Sequence, residues 1–433
     1  MPESKRCWSC LLLAVVLLGS ATLGVSAQEP TRLEGTIQGQ GATQIKIAIP
    51  DPKFPPGAEE IGAELLQTLR DDLDYGGYFD LVDPNLYELV PVEGDVVRHE
   101  DWLSIGADAL LLTRLRFDMG RLDLEAWLYD NTNGTQQLGK RYGGTAELSR
   151  RVAHKLADEL VQHYTGRPGI ALTRIAFVSK HGDNKEIYLV DYDGRRLRRL
   201  TTTDSLNLSP TWSPNGEELA FVSWRGRQPG VYVMSAEGKL GVLNTVGGEF
   251  SSSPGWSPEG RRLAYASDLA GNTEIYVLDR IAGKNRRLTY NPAIDTSPAI
   301  SPNAREIAFT SDRTGTPQIY VMDFEGVNVR RVSWTGSYNE SAVWSPRGDR
   351  LAYTSRVEGK FHIVVLDLTS GETQRLTHDV ANHENPSWSP DGRHIVYASD
   401  ATGEYQIYTM RADGTRQVQL TRGPASFTPD WSR

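Results

Sequence analysis

One spacing constrains this chain more than any other feature: Trp212, Trp256, Trp344 and Trp388 fall on a 44-residue step, with Ile300 in the same register. The apolar runs that follow keep that step through six copies, beginning at Ile175, Leu219, Leu263, Ile307, Leu351 and Ile395. A third series starts at Ile187, Val231, Ile275, Ile319, Ile363 and Ile407, and a fourth is marked by Leu200, Leu288, Val332, Leu376 and Leu420. Each unit therefore holds four short runs rich in β-branched and aromatic residues, punctuated by turn pairs such as Asn215-Gly216, Glu259-Gly260 and Asp391-Gly392. Four strands in a repeat of this length make a propeller blade, whereas solenoid repeats are helical or carry one strand apiece. The expected fold is an all-β six-bladed propeller over residues 170–433, preceded by a smaller α/β domain.

The first unit lacks its Trp-Ser-Pro strand, because the position 44 residues before Trp212 is Pro168, inside "TGRPGI". The missing strand is "TPDWSR" at the other end, where Trp431 has no blade after it. Joining the two ends closes the ring and removes the sheet edges that invite aggregation. The recurring Trp then fills space between sheets, and Pro-x-Gly turns the chain at a strand end. The aspartate box of sialidases places Asp and Gly before the Trp, the reverse of the order here.

Residues 45–165 lack the period. "IKIAIPDP" predicts a strand, and Ile61, Leu65, Leu69 and Leu73 mark one face of a helix ended by Gly76-Gly77. "ADALLLTRLRFD" and "RLDLEAWLYD" read as strands paired through a turn near Gly120, and a second helix from Thr145 carries Leu148, Val152, Leu156 and Leu160 on one stripe. These stripes are core. Residues 28–44 are polar and Gly-rich, too poor in apolar side chains to order alone, and read as a flexible tail. Ahead of them, Lys5 and Arg6, the apolar run from Leu11 and "VSA" before Gln28 read as a signal peptide over residues 1–27.

The two cysteines, Cys7 and Cys10, both lie in that leader, which leaves no disulfide, thiolate metal site or cysteine nucleophile in the exported chain. Losing Glu3, Lys5 and Arg6 with the leader takes the formal charge from −9 to −10, the wrong sign for a duplex-binding surface. No G-x-S-x-G elbow, H-E-x-x-H pair or Gly-rich phosphate loop occurs. The densest cluster of metal-type ligands is His378, Asp379, His383 and Glu384 in "HDVANHEN", read as a solvated loop between blades. No cofactor and no metal are expected.

The signal peptide, the Gly-rich tail leading into "IAIPDP", the α/β domain and six repeats with "W-S-P-x-G" and "LAYxS" together resemble the TolB family, soluble periplasmic components of the Tol-Pal envelope system; the run "TSDRTGTPQIYVMD" is the most specific piece. That resemblance implies a periplasmic adaptor and no enzyme, supporting outer-membrane integrity and constriction during division. Its propeller face would dock the peptidoglycan-associated lipoprotein Pal and its tail the inner-membrane protein TolA, with other outer-membrane proteins as further partners. In a propeller the innermost strands line the tunnel, so residues ahead of each Trp ring its mouth. This places Phe250, Ser253, Thr296, Ser297, Glu340, Ser341, His383 and Asn385 at the Pal face. The tail residues matched to TolA are Leu33, Glu34, Gly35, Thr36, Ile37, Gln38 and Gly39, in a segment richer in Gly and Gln than the family's usual one. A glycan- or peptide-binding propeller module, or a propeller hydrolase, is the alternative reading.

Overall fold

Six four-stranded antiparallel sheets ring a central tunnel in the computed structural model, which describes residues 44–90, 97–203, 205–226, 228–241 and 251–433. The inner strands of blades two to six are Asn207–Trp212, Ser251–Trp256, Asp295–Ile300, Asn339–Trp344 and His383–Trp388. Blade one takes its inner strand from the far end of the sequence: Ser426–Trp431 pairs antiparallel with Arg174–His181, Trp431 opposite Ile175. The second strand of every blade is almost wholly buried, as its unbroken apolar pattern requires, because neighbouring blades cover both faces. The outermost strands are only two to four residues long, and the leucines that marked them in the sequence sit just past their ends.

The tryptophans do the packing expected of them. Trp256 Nε1 donates to Thr211 O of the preceding blade at 3.0 Å, and Trp344 Nε1 repeats that bond on Ala299 O at 3.0 Å. Pro-x-Gly closes the turn after them, with Gly392 at φ +71; such a left-handed position suits glycine, which has no Cβ to clash.

The smaller domain carries a mixed five-stranded sheet. Strands β1 (Ile45–Ala48), β2 (Phe79–Leu81) and β3 (Ala109–Asp118) are parallel, and β4 (Arg121–Asp130) and β5 (Thr135–Thr145) continue antiparallel from β3, giving the order β2-β1-β3-β4-β5. Helices α1 (Glu59–Gly76) and α3 (Ser149–Thr165) pack together over it, and a short α2 (His99–Ser104) lies between β2 and β3. The second helix begins four residues later than its apolar stripe suggested. Leu148 stays 45% exposed, and the buried face is Ala153, Leu156, Ala157, Leu160 and Val161. No helix among the described residues is long and apolar enough to cross a membrane.

The C-terminal end of α1 is what the propeller grips. Gly77, at φ +71, ends the helix in a left-handed turn and exposes its last carbonyls. Arg393 donates to Gly77 O at 2.8 Å, Arg416 to Asp74 O at 2.9 Å and His394 Nε2 to Tyr75 O at 3.0 Å, so the two arginines complement the negative end of the helix dipole. The His394 and Tyr75 rings stack with centroids 4.5 Å apart. Beneath this contact, the buried Asp72 accepts from His154 Nδ1 at 2.8 Å and from the Tyr192 hydroxyl, and Arg150 pairs with Asp193. Burial pushes the Asp72 carboxyl up despite these donors.

The polar junctions between blades show how one repeat position changes its chemistry. Gln318 Oε1 accepts from Ser333 Oγ at 2.7 Å, and Gln406 Oε1 accepts from Thr421 Oγ1 at 2.8 Å. The equivalent residue in blade five is His362, buried and stacked at 5.9 Å on His383 of blade six. Arg375 lies 3.0 Å from His362 Nε2, which must accept, so Nδ1 carries the proton and donates to Thr377 Oγ1 at 3.2 Å. Burial, then Arg375 and His383, push the His362 imidazole down to about 4. The fold holds the neutral ring, so its contribution is complete above about pH 6.5 and is lost as pH falls from there toward 4. His362→Gln, the residue of blades four and six, is expected to flatten the acid side of the melting-temperature profile; an unchanged profile would show that the titration lies elsewhere.

Candidate partner-binding face of the propeller

Every inner strand carries the same irregularity. In blade four, Thr296 pairs with Thr310 and Ala299 with Ala308, so Ser297 and Pro298 together face one residue, Phe309. This is a β-bulge, and it explains how a proline sits inside a strand, since the bulged position needs no ladder N–H. The first bulge residue takes a left-handed backbone in all six blades: Ser209 (φ +49), Ser253 (+50), Ser297 (+51), Ser341 (+55), Asn385 (+55) and Thr428 (+43). None is glycine, so each conformation costs about 1–3 kcal/mol and persists only because the surroundings impose it. Part of that restraint is visible, since the Ser341 and Asn385 amides donate to Thr310 and Thr354 hydroxyls of the preceding blades at 3.2 and 2.9 Å.

All six bulge residues line the tunnel, around a cavity of about 230 Å³ that runs to the Trp end of the strands. Asp430 and Arg433 are the charged residues on its wall. Asp430 is spent on structure: its carboxylate accepts from Trp212 N and from Ser387 Oγ, both at 2.7 Å, tying the closing strand to blades two and six. Burial pushes its pKa up.

The α/β domain grips turns at the Trp end of the ring, so the opposite, front face is where the inner strands begin. Ser253, Ser297, Ser341 and Asn385 stand at the tunnel waist, half-buried, and Thr296 and Glu340 one residue nearer the front. They lie within strands and not in the loops before them. Glu340 accepts from Tyr338 Oη at 3.1 Å, and burial, opposed by that bond, raises its pKa, with the Glu384 charge adding to the rise. His383 is not at the mouth. It is 1% exposed at the blade junction, with Nε2 2.7 Å from Asp379 Oδ1. The "HDVANHEN" segment is likewise only partly a loop, because His383 and Glu384 open the inner strand. No group of three metal-type ligands occurs among the described residues. Phe250 and the seven tail residues from Leu33 to Gly39 lie outside the described residues.

The loops that lead into blades four and five carry two residues missing from the sequence-based site. Tyr290 is 73% exposed and Trp334 is 74% exposed, 44 residues apart at one repeat position, directly after the "LT" and "VS" pairs. Each ring is propped by the arginine three residues earlier, Arg287 over Tyr290 at 4.5 Å and Arg331 over Trp334 at 4.8 Å. Ile294, in the same loop as Tyr290, adds exposed apolar surface, as does Val380 in the loop that leads into blade six. Large aromatics held rigidly in water are the side chains that anchor protein interfaces. Aligning the repeats one column further would have found them.

Residues 161–433 match the family model described as the TolB beta propeller domain, and residues 33–137 the TolB amino-terminal domain. The chain belongs to the TolB family. It is 38% identical over 214 residues to the Tol-Pal system protein TolB of Geobacter sulfurreducens, covering 48% of each chain. It is 37% identical over 208 residues to that of Bordetella parapertussis, covering 48% of this chain and 46% of the relative. The match thus spans about half the length of these relatives. The crystal structure of TolB from Acinetobacter baumannii superimposes with a TM-score of 0.76 at 26% identity, over 90% of this chain and 97% of that one. A nidogen/laminin complex chain, 10% identical with a TM-score of 0.51, shares the fold alone.

Proposed function

We propose that this TolB-family chain is a non-catalytic periplasmic adaptor of the Tol-Pal system, docking the lipoprotein Pal on the front face of its propeller and TolA through its N-terminal tail. In that role it supports outer-membrane integrity and constriction during division. The observation that carries the reading is the front face itself: a ring of strained bulges at the tunnel waist, flanked by the exposed, arginine-propped Tyr290 and Trp334, on the side away from the α/β domain. Its chemistry is that of an interface, with rigid aromatic anchors beside half-buried hydroxyls. A hydrolase would instead use convergent acid and base groups, and the tunnel's own acid, Asp430, is held by structural hydrogen bonds.

Ser253, Thr296, Ser297, Glu340, Ser341 and Asn385 form the inner part of the proposed contact. Arginine at Ser253 or Thr296 is expected to block the mouth by bulk and unpaired charge, weakening Pal by at least about 30-fold, or roughly 2 kcal/mol. Melting is expected to fall more at Ser253, whose left-handed bulge position is already strained, than at Thr296, and affinity is compared at a temperature where both variants are folded. Calorimetric titration of the Pal periplasmic domain into both variants decides this, and unchanged affinity in both would move the site elsewhere. Deleting residues 33–39 is expected to weaken TolA and leave Pal affinity and melting untouched, as for a segment that orders only on its partner. A deletion that lowers melting instead would make the tail part of the fold.

A further inference from the structure

The mouth of the tunnel is not uniform around its ring. One residue ahead of the bulges, the inner strands carry Leu208, Ser252 and Thr296 in blades two to four, but Glu340, Glu384 and Phe427 in blades five, six and one. Each carboxylate is held by a tyrosine: Tyr338 Oη donates to Glu340 at 3.1 Å and Tyr405 Oη to Glu384 at 2.5 Å. Two further rings complete the sector, Phe361 edge-on to Tyr338 with centroids 5.8 Å apart and Phe427 against Tyr405 at 5.4 Å. All six side chains are half-buried.

Elsewhere in the ring, acids are matched by cations. Glu218, Glu274, Asp295 and Glu306 each hold an arginine within 3.1 Å. Glu340 and Glu384 make no ion pair among the described residues. They are nevertheless close to one another, since burial, then the charges of Glu340 and Glu384, push the Tyr338 hydroxyl up to about 12. Two partly desolvated like charges side by side are unfavourable, and a cation brought to them removes that cost. The rings add attraction for the same charge, because aromatic faces draw cations. Lys185 already stands over Phe427 at 4.6 Å and Arg356 over Phe361 at 5.9 Å, yet neither pairs with Glu340 or Glu384.

We infer that this sector seats a lysine or arginine side chain of the docked partner, with Glu340 and Glu384 taking its charge and the neighbouring aromatic rings flanking its aliphatic stem. Resting on the reading of the front face as the Pal-docking surface, this seat fixes the partner's orientation, since a basic residue must enter at blades five and six. Charge pairs of this kind, desolvated as the partner closes over them, select the partner and its register.

The test uses the full chain, the isosteric double variant Glu340→Gln/Glu384→Gln and the control Glu217→Gln/Glu372→Gln, which makes the same charge change in exposed turns at the Trp end of the ring. The Pal periplasmic domain is titrated calorimetrically into each at two salt concentrations. The front variant is expected to bind at least tenfold more weakly than the parent and to lose part of the salt dependence. Its melting temperature should stay level or rise, because two repelling charges are gone. The control should match the parent in every measurement. Parent-like affinity in the front variant overturns the seat and leaves Pal docking standing, whereas a parent that does not bind Pal overturns both. Equal loss in the control would reduce the effect to overall charge, and calcium chloride binding that only the front variant loses would give the carboxylates to an ion; either result overturns the seat.

Discussion

Trp431→Ala is expected to lower the unfolding free energy by about 3–5 kcal/mol, the cost of removing a buried tryptophan and leaving its cavity. Trp431 is 3% exposed, its Nε1 donates to Thr173 Oγ1 at 2.8 Å, and its amide reaches Ser387 Oγ at 3.2 Å. The residues around it multiply the effect. Ser432 N donates to Arg174 O and Arg174 N to Ser432 Oγ, both at 2.8 Å, while Asp430 binds blades two and six. Deleting residues 428–433 should therefore exceed the point substitution, since it opens blade one and uncovers the edge of Arg174–His181. Urea unfolding of both variants measures this. A deletion that costs less than Trp431→Ala would mean that the ring does not depend on its closing strand.

Asp72→Ala carries the second large effect. The carboxylate is buried where α1 meets α3 and the propeller, and its loss leaves His154 and Tyr192 facing one another without the acceptor they share. Leaving a buried polar group without its partner costs about 1–3 kcal/mol, and two are stranded here. Asp72→Asn keeps the volume and one acceptor, so it should cost less. Because the group joins the domains, the change should also speed proteolysis in the linker at residues 166–173, where Asp158 otherwise holds the Ala171 and Leu172 amides at 2.8 and 3.1 Å. Equal stability of the Asn and Ala variants would deny that hydrogen bonding at Asp72 matters.

The blades could be read from sequence because each strand series repeats with its own apolar signature, and the closing strand because the first copy visibly lacks one. The bulges could not. Ser-Pro at 209–210, 253–254 and 297–298 looks like turn chemistry, and only the register shows it inside a strand. That extra residue also breaks the in-out alternation, which is why His383, two residues before Asn385, points into the blade junction while Asn385 reaches the tunnel. Strand β5 escaped because it lies at the sheet edge: "TQQLGKRYGGT" buries Tyr142 and little else, leaving no alternation to detect. Tyr290 and Trp334 escaped for the opposite reason, since a search for buried periodicity passes over exposed aromatics.

Hydrogen exchange of the chain alone and with excess Pal periplasmic domain tests the proposed docking face most directly. Protection is expected in the loops at 289–294 and 333–338 and at the start of the inner strands that follow them, with Trp334→Ala reducing it at equal Pal concentration. No change is expected in α3. Protection confined to the α/β domain, or none anywhere at saturating Pal, would contradict the account.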